Sequence, residues 1–497
     1  MFCIQNDAET PFFDDCLKKE RRVQFSSKHL RFINKEKERF KMAQRKSIGL
    51  GFRGTMLCIY QFLAFAMYCV INNIGQNLYP TLNGSAWNGT LVSTVYLIAS
   101  LAAIILQFIV GQKIANSGHL KGTSIVLLSL AGIFAIGMAT IHFSEALWLI
   151  IWGLAVFTSV VGATFVVSTI VGQWFPRRKG TVMGIATLAF PVINGIALTI
   201  FGNMLGSTGG NQFLCWLPWL IMDVVGILIC VIFIKEYPEQ CGAYPDNDKS
   251  MTPEMAHQML AAQQEAKKNS VWTVKNILRT PGFWMIVIPQ GILLIGSVGV
   301  MTQVMPILGS YGDRFVIGGV APTTLGTITL LIFAAVGCIG SWVMGMIDTK
   351  FGTRIALIIS CILMVISGIL CVFHILPLFF VGFACLQIFM GASSNFTVSA
   401  AAQYWRREDF PSAFTMINAV ANLICAFGPL IVAGISAATG GYTVVWIVLA
   451  ALGLLGMILM LVFHPQMILN RDKKYRVEAG LPEEGLTKSA AEMMGEK

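Results

Sequence analysis

Amide side chains recur inside the long apolar stretches of this sequence, at spacings that place several of them on one helix face. In the first stretch, Gln61, Tyr68, Asn72 and Gln76 follow one another at steps of seven, four and four residues, as on one face of a helix. An amide in hydrocarbon is costly unless it is hydrogen-bonded, so we expect these side chains to face the interior of a helix bundle. There each one either binds a polar solute or bonds a neighbouring helix, and the spacing favours neither role.

Further amides in other apolar stretches complete the set of candidate solute-binding residues: Asn194, Gln290, Gln387, Asn418 and Asn422. Aromatic residues accompany them, and residues 54–74, 323–347 and 413–436 contain no lysine, arginine or histidine. The combination predicts an uncharged, amide-rich and partly aromatic cavity. Such a cavity suits a larger amphipathic organic molecule.

Asp223 is the one acid deep within an apolar stretch. An ionised aspartate at membrane depth costs roughly 2.5–3.5 kcal/mol on insertion scales, so we expect this carboxyl group to be protonated or paired. It is a candidate proton-coupling site. A neutral, hydrogen-bonded carboxyl group with a structural role is the favoured alternative.

The sequence offers no arrangement of residues for catalysis or for a cofactor. It contains no GxxxxGK[ST] phosphate-binding loop, and its 12 cysteines are scattered singly, without metal or redox spacing. An integral-membrane enzyme would need paired acids or bases at membrane depth, and Asp223 stands alone. We therefore expect neither an enzyme nor a metal or cofactor site.

Composition places the chain in a membrane. Hydrophobic residues make up 55% of its 497 residues and charged residues only 12%, about half the charged share of a soluble domain. Twelve stretches are long enough to cross a bilayer core of about 30 Å. The predicted fold is all-α and integral to the membrane, with spans near 54–78, 89–110, 122–143, 146–175, 181–205, 214–234, 282–308, 323–347, 353–374, 376–405, 413–436 and 442–463.

The basic residues are distributed unevenly between the two sides that these spans define. Of 35 lysines and arginines, only Arg314 falls in an odd-numbered loop, and the other 34 lie in the tails and even-numbered loops. Because basic loops stay in the cytoplasm, both termini are predicted to be cytoplasmic. The net charge of +10 then reflects topology and contact with anionic lipid, so no nucleic-acid partner is expected. We expect a multi-pass protein of the plasma membrane.

Two similar halves are predicted from repeated residues at a constant offset. Arg177-Arg178 and Arg406-Arg407 are 229 residues apart, and so are Gln61 and Gln290. Such an offset predicts two six-helix halves in parallel orientation. Each arginine pair follows two aromatic residues at the end of a span, in QWFPRR and QYWRR. The arginines either anchor the helix end at the membrane surface or bridge to the opposite half and latch a gate.

The hydrophilic segments divide the chain further. The predicted units are a cytoplasmic N-terminal extension at 1–50, a six-helix bundle at 51–234, a cytoplasmic linker at 235–281, a second bundle at 282–464 and a cytoplasmic tail at 465–497. Translation from Met42 is an alternative that would leave most of the extension unmade.

The two halves, the central linker and the basic even-numbered loops resemble the major facilitator superfamily over about residues 50–465. QWFPRRKGTVMGI, YPEQCG and NILRTPGFW are similar to its oxalate–formate antiporter and monocarboxylate transporter branch. In GMIDTKFGTR, the match to the superfamily's loop motif implies that Asp348 and Arg354 pin neighbouring helices in one access state. Ordinary loop charge is the alternative. The first-half loop GQKIANSGHLKG departs from this motif, because Ala115 and Asn116 stand where an acid and a base are usual.

The resemblance implies a secondary active transporter whose halves rock about a central site. Spans one, four, seven and ten would surround that site, and span six, which carries Asp223, would be peripheral. Oxalate is disfavoured, because the intramembrane cations that this branch uses for it are missing. The predicted substrate is an amphipathic organic anion such as a monocarboxylate, carried by symport or antiport. Efflux of neutral amphiphiles and solute sensing without transport are the alternatives, and the transporter is expected to work as a monomer.

Overall fold

The computed structural model describes residues 49–75, 89–116, 118–141, 143–175, 179–208, 210–248, 252–317, 321–485 and 487–495. Three candidate residues of the sequence analysis, Gln76, Arg177 and Arg178, lie outside these described residues. The N-terminal extension before residue 49 and the start at Met42 lie outside them too.

Twelve helices in the described part of the chain are long and apolar enough to cross a membrane, which confirms the predicted number of spans. The first half contains α1 (Phe52–Cys69, continued by a π-helix at Val70–Ile74), α2 (Gly89–Asn116), α3 (Leu120–Thr140), α4 (Glu145–Ser159, a π-helix at Val160–Val167, then Ser168–Trp174), α5 (Lys179–Ala186 and Ala189–Ser207) and α6 (Gln212–Phe233).

The second half contains α7 (Pro281–Leu294, continued by a π-helix at Ile295–Gly299), α8 (Thr324–Phe351), α9 (Thr353–Val372), α10 (Leu376–Tyr404), α11 (Phe410–Ala426 and Gly428–Thr439) and α12 (Thr443–Val462). The equivalent helices α1 and α7 therefore both change to π-helical geometry near the same end. π-helical turns occur frequently at functional sites.

Short elements join and follow the two halves. The linker contains 3₁₀ turns and two helices, at Pro238–Cys241, Pro245–Asn247, Pro253–Lys268 and Val274–Leu278. Between α7 and α8 lie a short helix, Val304–Gly309, and a two-stranded antiparallel sheet in which β1 (Val316–Ile317) pairs with β2 (Ala321–Pro322). The C-terminal tail folds into the helices Gln466–Glu478 and Ala490–Gly495.

An even number of crossings places the start of α1 and the end of α12 on the same face of the bundle. The linker begins at the end of α6 on that same face. We call this face the linker face and the opposite one the far face. Polar side chains begin three helices at the far face: Ser144, Asn211 and Thr323 each accept a hydrogen bond from a backbone N–H of the first turn. These caps satisfy donors that the membrane would leave unpaired.

Small residues bring the two halves into close contact along two helix pairs. Between α5 and α8, a Cβ atom added to Gly195 would lie 2.4 Å from the Cβ of Ala334, and one added to Gly337 would lie 2.5 Å from Pro191. Between α2 and α11, a Cβ on Gly111 would lie 2.9 Å from Thr415. Glycine permits this approach, as is usual for helices that pack inside membranes.

Candidate functional site

A narrow cavity of about 20 Å³ lies between the two halves. The first half contributes five lining residues and the second half seven, and none of the twelve is charged: Phe65, Tyr68, Thr164, Ser168, Phe190, Leu294, Val298, Ser394, Thr397, Asn418, Asn422 and Cys425. The lining comes from α1, α4 and α5 on one side and from α7, α10 and α11 on the other. It combines aromatic rings with hydroxyl and amide groups, as the sequence predicts for the central cavity.

The aromatic part of the cavity belongs to the first half. The ring of Phe190 lies 5.3 Å from that of Phe65 and 5.7 Å from that of Tyr68, measured between centroids. Two lining residues lie in the π-helical segments, Thr164 in α4 and Val298 in α7. The rings offer an apolar face to a bound solute.

The amide part belongs to α11. The side-chain amide of Asn422 donates to the backbone oxygen of Asn418 at 2.8 Å and to its side-chain oxygen at 3.1 Å. The amide nitrogen of Asn418 in turn donates to the side-chain oxygen of Gln107 on α2 at 3.3 Å. This chain fixes the orientation of both asparagine side chains at the cavity.

The candidate solute-binding amides and the one candidate tyrosine lie in two different environments. Tyr68, Asn418 and Asn422 line the cavity. Gln61 is fully buried in the first half, where it donates to Ser168 at 3.3 Å and lies 3.0 Å from the sulfur of Met183. Since Ser168 itself lines the cavity, Gln61 positions a lining residue.

The remaining described candidates are buried within a single half. Asn72 donates to the backbone oxygen of Tyr68 at 2.8 Å, and Gln290 donates to that of Phe396 at 3.2 Å. Gln387 lies 3.4 Å from the sulfur of Met301. Asn194 is 2% exposed and is not among the lining residues. Gln290 and Gln387 thus contact other helices of their own half.

Two phenylalanine rings of α11 lie on the linker side of its cavity-lining residues, and they stack with a third ring from α4. Phe410, Phe414, Asn418 and Asn422 are spaced by four residues, so the rings and the lining amides occupy one face of α11. Phe410 stacks on Phe414 at 5.6 Å, and Phe414 stacks at 6.4 Å on Phe165 from the other half. All three rings are at most 2% exposed. We call these three rings the phenylalanine stack.

A glycine of α4 makes room for the outermost ring of the stack. A Cβ atom on Gly172 would lie 2.5 Å from a ring carbon of Phe410, closer than real Cβ contacts. The two halves therefore interlock here, with a ring of the second half set against the backbone of the first.

Asp348 and Arg354 form their bonds inside the second half. The Asp348 carboxylate accepts a hydrogen bond from the hydroxyl of Thr353 at 2.6 Å. The guanidinium of Arg354 donates to the backbone oxygens of Met460 and Leu461, at the end of α12. Each residue thus ties together helix ends of one bundle, and whether that favours one access state stays a prediction.

Arg406 is bound by the C-terminal tail. Its guanidinium contacts Asp472 at 2.9 Å and Glu492 at 3.0 Å, and it also donates to the backbone oxygen of Thr487. Hydrogen bonding and the charge of Asp472 raise the pKa of Arg406, outweighing the lowering by desolvation. In this structure its described partners all belong to the second half and the tail, so they do not form the predicted bridge to the first half.

Arg476 extends these contacts into a buried network, which we call the tail cluster: Ser270, Trp272, Arg406, Glu408, Asp409, Asp472, Arg476 and Glu492. Arg476 contacts Asp409 at 3.0 Å and Asp472 at 3.2 Å. From the linker, Ser270 donates to Asp409 at 2.6 Å and the Trp272 indole donates to Asp472 at 2.9 Å. Linker, tail and the α10–α11 loop are thereby joined.

Burial has the dominant effect on the carboxyl group of Asp409, whose pKa is raised from 3.8 to about 6. The native state therefore holds a proton on this group at pH values where the unfolded chain does not. Its contribution to folding stability is complete below its usual pKa and is lost as pH rises through about 6.

Arg407 lies close enough to Glu239 of the linker to affect the pKa of its carboxyl group. Burial raises the pKa of Glu239, which lies just beyond α6, and the nearby positive charge of Arg407 lowers it. Both carboxylate oxygens of Glu239 are buried. Since Glu239 belongs to the linker, the bridge from this arginine pair to the opposite half stays a prediction.

Asp223 lies between helices of the first half, away from the cavity lining. It is 5% exposed, and a Cβ atom on Gly132 of α3 would lie 2.7 Å from its carboxylate oxygen. Tyr60 of α1 is close enough to interact with its charge. The position is peripheral, as the resemblance implies for the sixth span.

Sequence reasoning missed every residue of α2. Ser93, Ser100 and Gln107 are spaced by seven residues and are all buried. Tyr96, on the same helix, shares a hydrogen bond with the lining residue Tyr68. The seven-residue spacing was the available signal. Among the described residues, no group of three His, Cys, Asp or Glu side chains is placed to hold a metal ion.

Comparison with known proteins identifies this architecture. The sequence profile of the Major Facilitator Superfamily matches residues 56–343 and 316–484. The chain belongs to the major facilitator superfamily. Among curated proteins, this major facilitator chain is 28% identical to the glucose-6-phosphate exchanger SLC37A2 of Xenopus tropicalis over 176 residues. That match covers 34% of this chain and only 33% of the exchanger.

Solved major facilitator structures share the fold. The proton:xylose symporter XylE, bound to 6-bromo-6-deoxy-D-glucose, has a TM-score of 0.64 and 11% identity over 82% of this chain and 95% of its own. The human organic anion transporter MFSD10 (TETRAN) has a TM-score of 0.56 and 15% identity, covering 82% and 97%. The nucleoside transporter NupG has a TM-score of 0.53 and 12% identity, covering 82% and 99%. At these identities the likeness concerns the fold alone.

Proposed function

We propose that this chain is a secondary transporter that binds one organic solute between its halves and exposes it to each side of the membrane in turn. The observation that carries this proposal is the cavity, to which the first half contributes five lining residues and the second half seven. Because the site is shared, rocking of one half against the other changes its access without moving the solute far. The phenylalanine stack supplies the barrier on the linker side.

The lining favours a neutral solute with both apolar and hydrogen-bonding parts. None of the twelve lining residues carries a charge, so a bound anion would lose its hydration without gaining a counter-ion. Rings of the first half would face the apolar part, and the amides of α11 would bond hydroxyl or carbonyl groups. We therefore prefer a neutral substrate. A monocarboxylate substrate and the oxalate–formate branch stay predictions, which the counterflow assay below also tests.

The uneven distribution of basic residues supports a cytoplasmic linker face with both termini inside the cell. We extend the proposal to a monomer in the plasma membrane. Symport, antiport and efflux differ only in what accompanies the solute and in its direction, and flux measurements separate them.

Replacing Asn422 by leucine is expected to weaken solute binding at least about five-fold, since an unmade hydrogen bond to a buried group costs about 1–3 kcal/mol. The measurement is counterflow into proteoliposomes, competed by a panel of neutral amphiphiles and of monocarboxylates. Thr329→Val is the matched control, because the Thr329 hydroxyl bonds the backbone of its own helix. Inhibition by monocarboxylates alone would contradict the neutral substrate, and binding without any counterflow would show a sensor.

Proton coupling through Asp223 is tested separately. Since Asp223 lies outside the cavity lining, we expect Asp223→Asn to leave the pH dependence of uptake unchanged. The measurement is initial uptake of the best competitor with and without an imposed pH gradient. Loss of gradient-driven uptake, with counterflow preserved, would assign the coupling role to Asp223 instead.

A further inference from the structure

Gln107 of α2 contacts the cavity wall from behind, although it does not line the cavity. Its side chain is 1% exposed, and its oxygen accepts the hydrogen bond from Asn418 at 3.3 Å. Asn418 is itself 3% exposed and lines the cavity. Gln107 belongs to the first half and Asn418 to the second, so this bond joins the halves beside the binding site.

The surroundings of this bond are apolar. Ile104 of α2 packs against Ala419 and Ala426 of α11 in a small buried cluster, with leucine and phenylalanine side chains around it. A hydrogen bond between amides in such surroundings is directional, whereas the contacts beside it are not. The amide pair therefore defines one register of α2 on α11.

One donor of the pair has no partner. The amide nitrogen of Gln107 is buried and makes no hydrogen bond with the described residues. An unsatisfied buried donor is destabilising.

The amide orientation of Asn418 follows from its two neighbours. Its nitrogen points to the Gln107 oxygen, and its oxygen accepts from Asn422. If position 107 carried no acceptor, nothing on α2 would favour one orientation of the Asn418 side-chain amide over the other. Gln107 therefore determines which group of Asn418 is engaged by α2 and which by α11.

We propose that Gln107 is a positioning residue of the transport cycle. Through its bond to Asn418 it orients a solute-binding amide and holds α2 against α11 until the halves separate. The inference rests on the proposed function, because it takes Asn418 as part of the solute site and the movement of the halves as the transport step.

The test uses the native thiol of Cys425, which lines the cavity and is 3% exposed. The full-length protein is placed in sealed vesicles with the linker face outward and treated with a membrane-impermeant methanethiosulfonate, and labelling of Cys425 is quantified by peptide mass spectrometry. Gln107→Met and Asn418→Leu are each expected to raise the labelling rate roughly two- to ten-fold, as loss of one hydrogen bond predicts. The double variant should be no faster than the faster single variant, because both remove the same bond.

Exchange of the two side chains provides the rescue. Gln107→Asn combined with Asn418→Gln preserves both amides and their combined length, and it should return labelling to within about two-fold of the wild-type rate. Gln290→Leu serves as control, since Gln290 is equally buried but bonds Phe396 within its own half. It should leave the labelling rate unchanged.

Two results would overturn the inference while leaving transport intact. Either the single variants label at the wild-type rate, or their effects multiply in the double variant and the exchange fails to restore the rate. A different result would reject alternating access itself. In that case Cys425 would stay unlabelled from both sides, in the wild type and in every variant.

Discussion

Gly172→Val is expected to hold the transporter open toward the linker face, with Cys425 labelled from that side about five- to hundred-fold faster than in the wild type. A Cβ at position 172 would already lie 2.5 Å from the Phe410 ring, and valine adds two methyl groups. Overpacking of this kind costs about 1–3 kcal/mol, and the closed state alone would bear that cost. Counterflow should fall in parallel, because the closed state is part of every cycle.

Gly122→Val is the matched control for Gly172→Val. Gly122 is also a helical glycine, in α3, and a Cβ there would meet nothing within 4 Å. The control shares the change in helix propensity but not the contact with the phenylalanine stack. Equal labelling of Cys425 in both variants would show that the stack is not the linker-side barrier.

Asp472→Asn is expected to destabilise the protein by about 3–5 kcal/mol, because it leaves Arg406 and Arg476 buried without their shared carboxylate. Both partners are nearly inaccessible, with side-chain exposures of 4% for Arg406 and 9% for Arg476. Thermal unfolding of the detergent-solubilised protein, followed by tryptophan fluorescence, should show a midpoint lowered by several degrees. The indole of Trp272, which donates to Asp472, reports directly on this region.

An exposed ion pair of the same tail supplies the comparison. Lys473 and Glu483 are 3.3 Å apart, with side-chain exposures of 48% and 60%. Such surface pairs contribute about 0–1 kcal/mol, so Glu483→Gln should scarcely move the midpoint. If Asp472→Asn shifts the midpoint no further than Glu483→Gln does, the tail cluster is not a structural unit.

The spans and their number could be predicted because hydropathy alone decides which segments enter a membrane. Asn418 and Asn422 could be predicted as well, since a polar side chain at helical spacing has to face inward. The same argument could not separate them from Gln61 and Gln290. Periodicity identifies the inward face of a helix, but it does not tell whether the neighbour on that face is the cavity or another helix of the same half.

The tail cluster had no comparable signal in the sequence. Arg406, Asp472 and Glu492 are 66 and 20 residues apart along the chain, in segments where charged side chains are normally solvated. Their burial depends on how the tail folds back onto the α10–α11 loop, which neither composition nor spacing predicts. Gln107 was missed for a different reason, because its importance comes from a partner 311 residues away.

The fold-back of the tail also affects how the protein is made. Arg406 emerges from the ribosome well before Asp472 and Glu492, the two carboxylates that neutralise it. Arg406 consequently lacks these two partners while the last helices are being inserted. The tail cluster can form only after Glu492 has been synthesised, so a truncation before this residue is expected to affect folding before it affects transport.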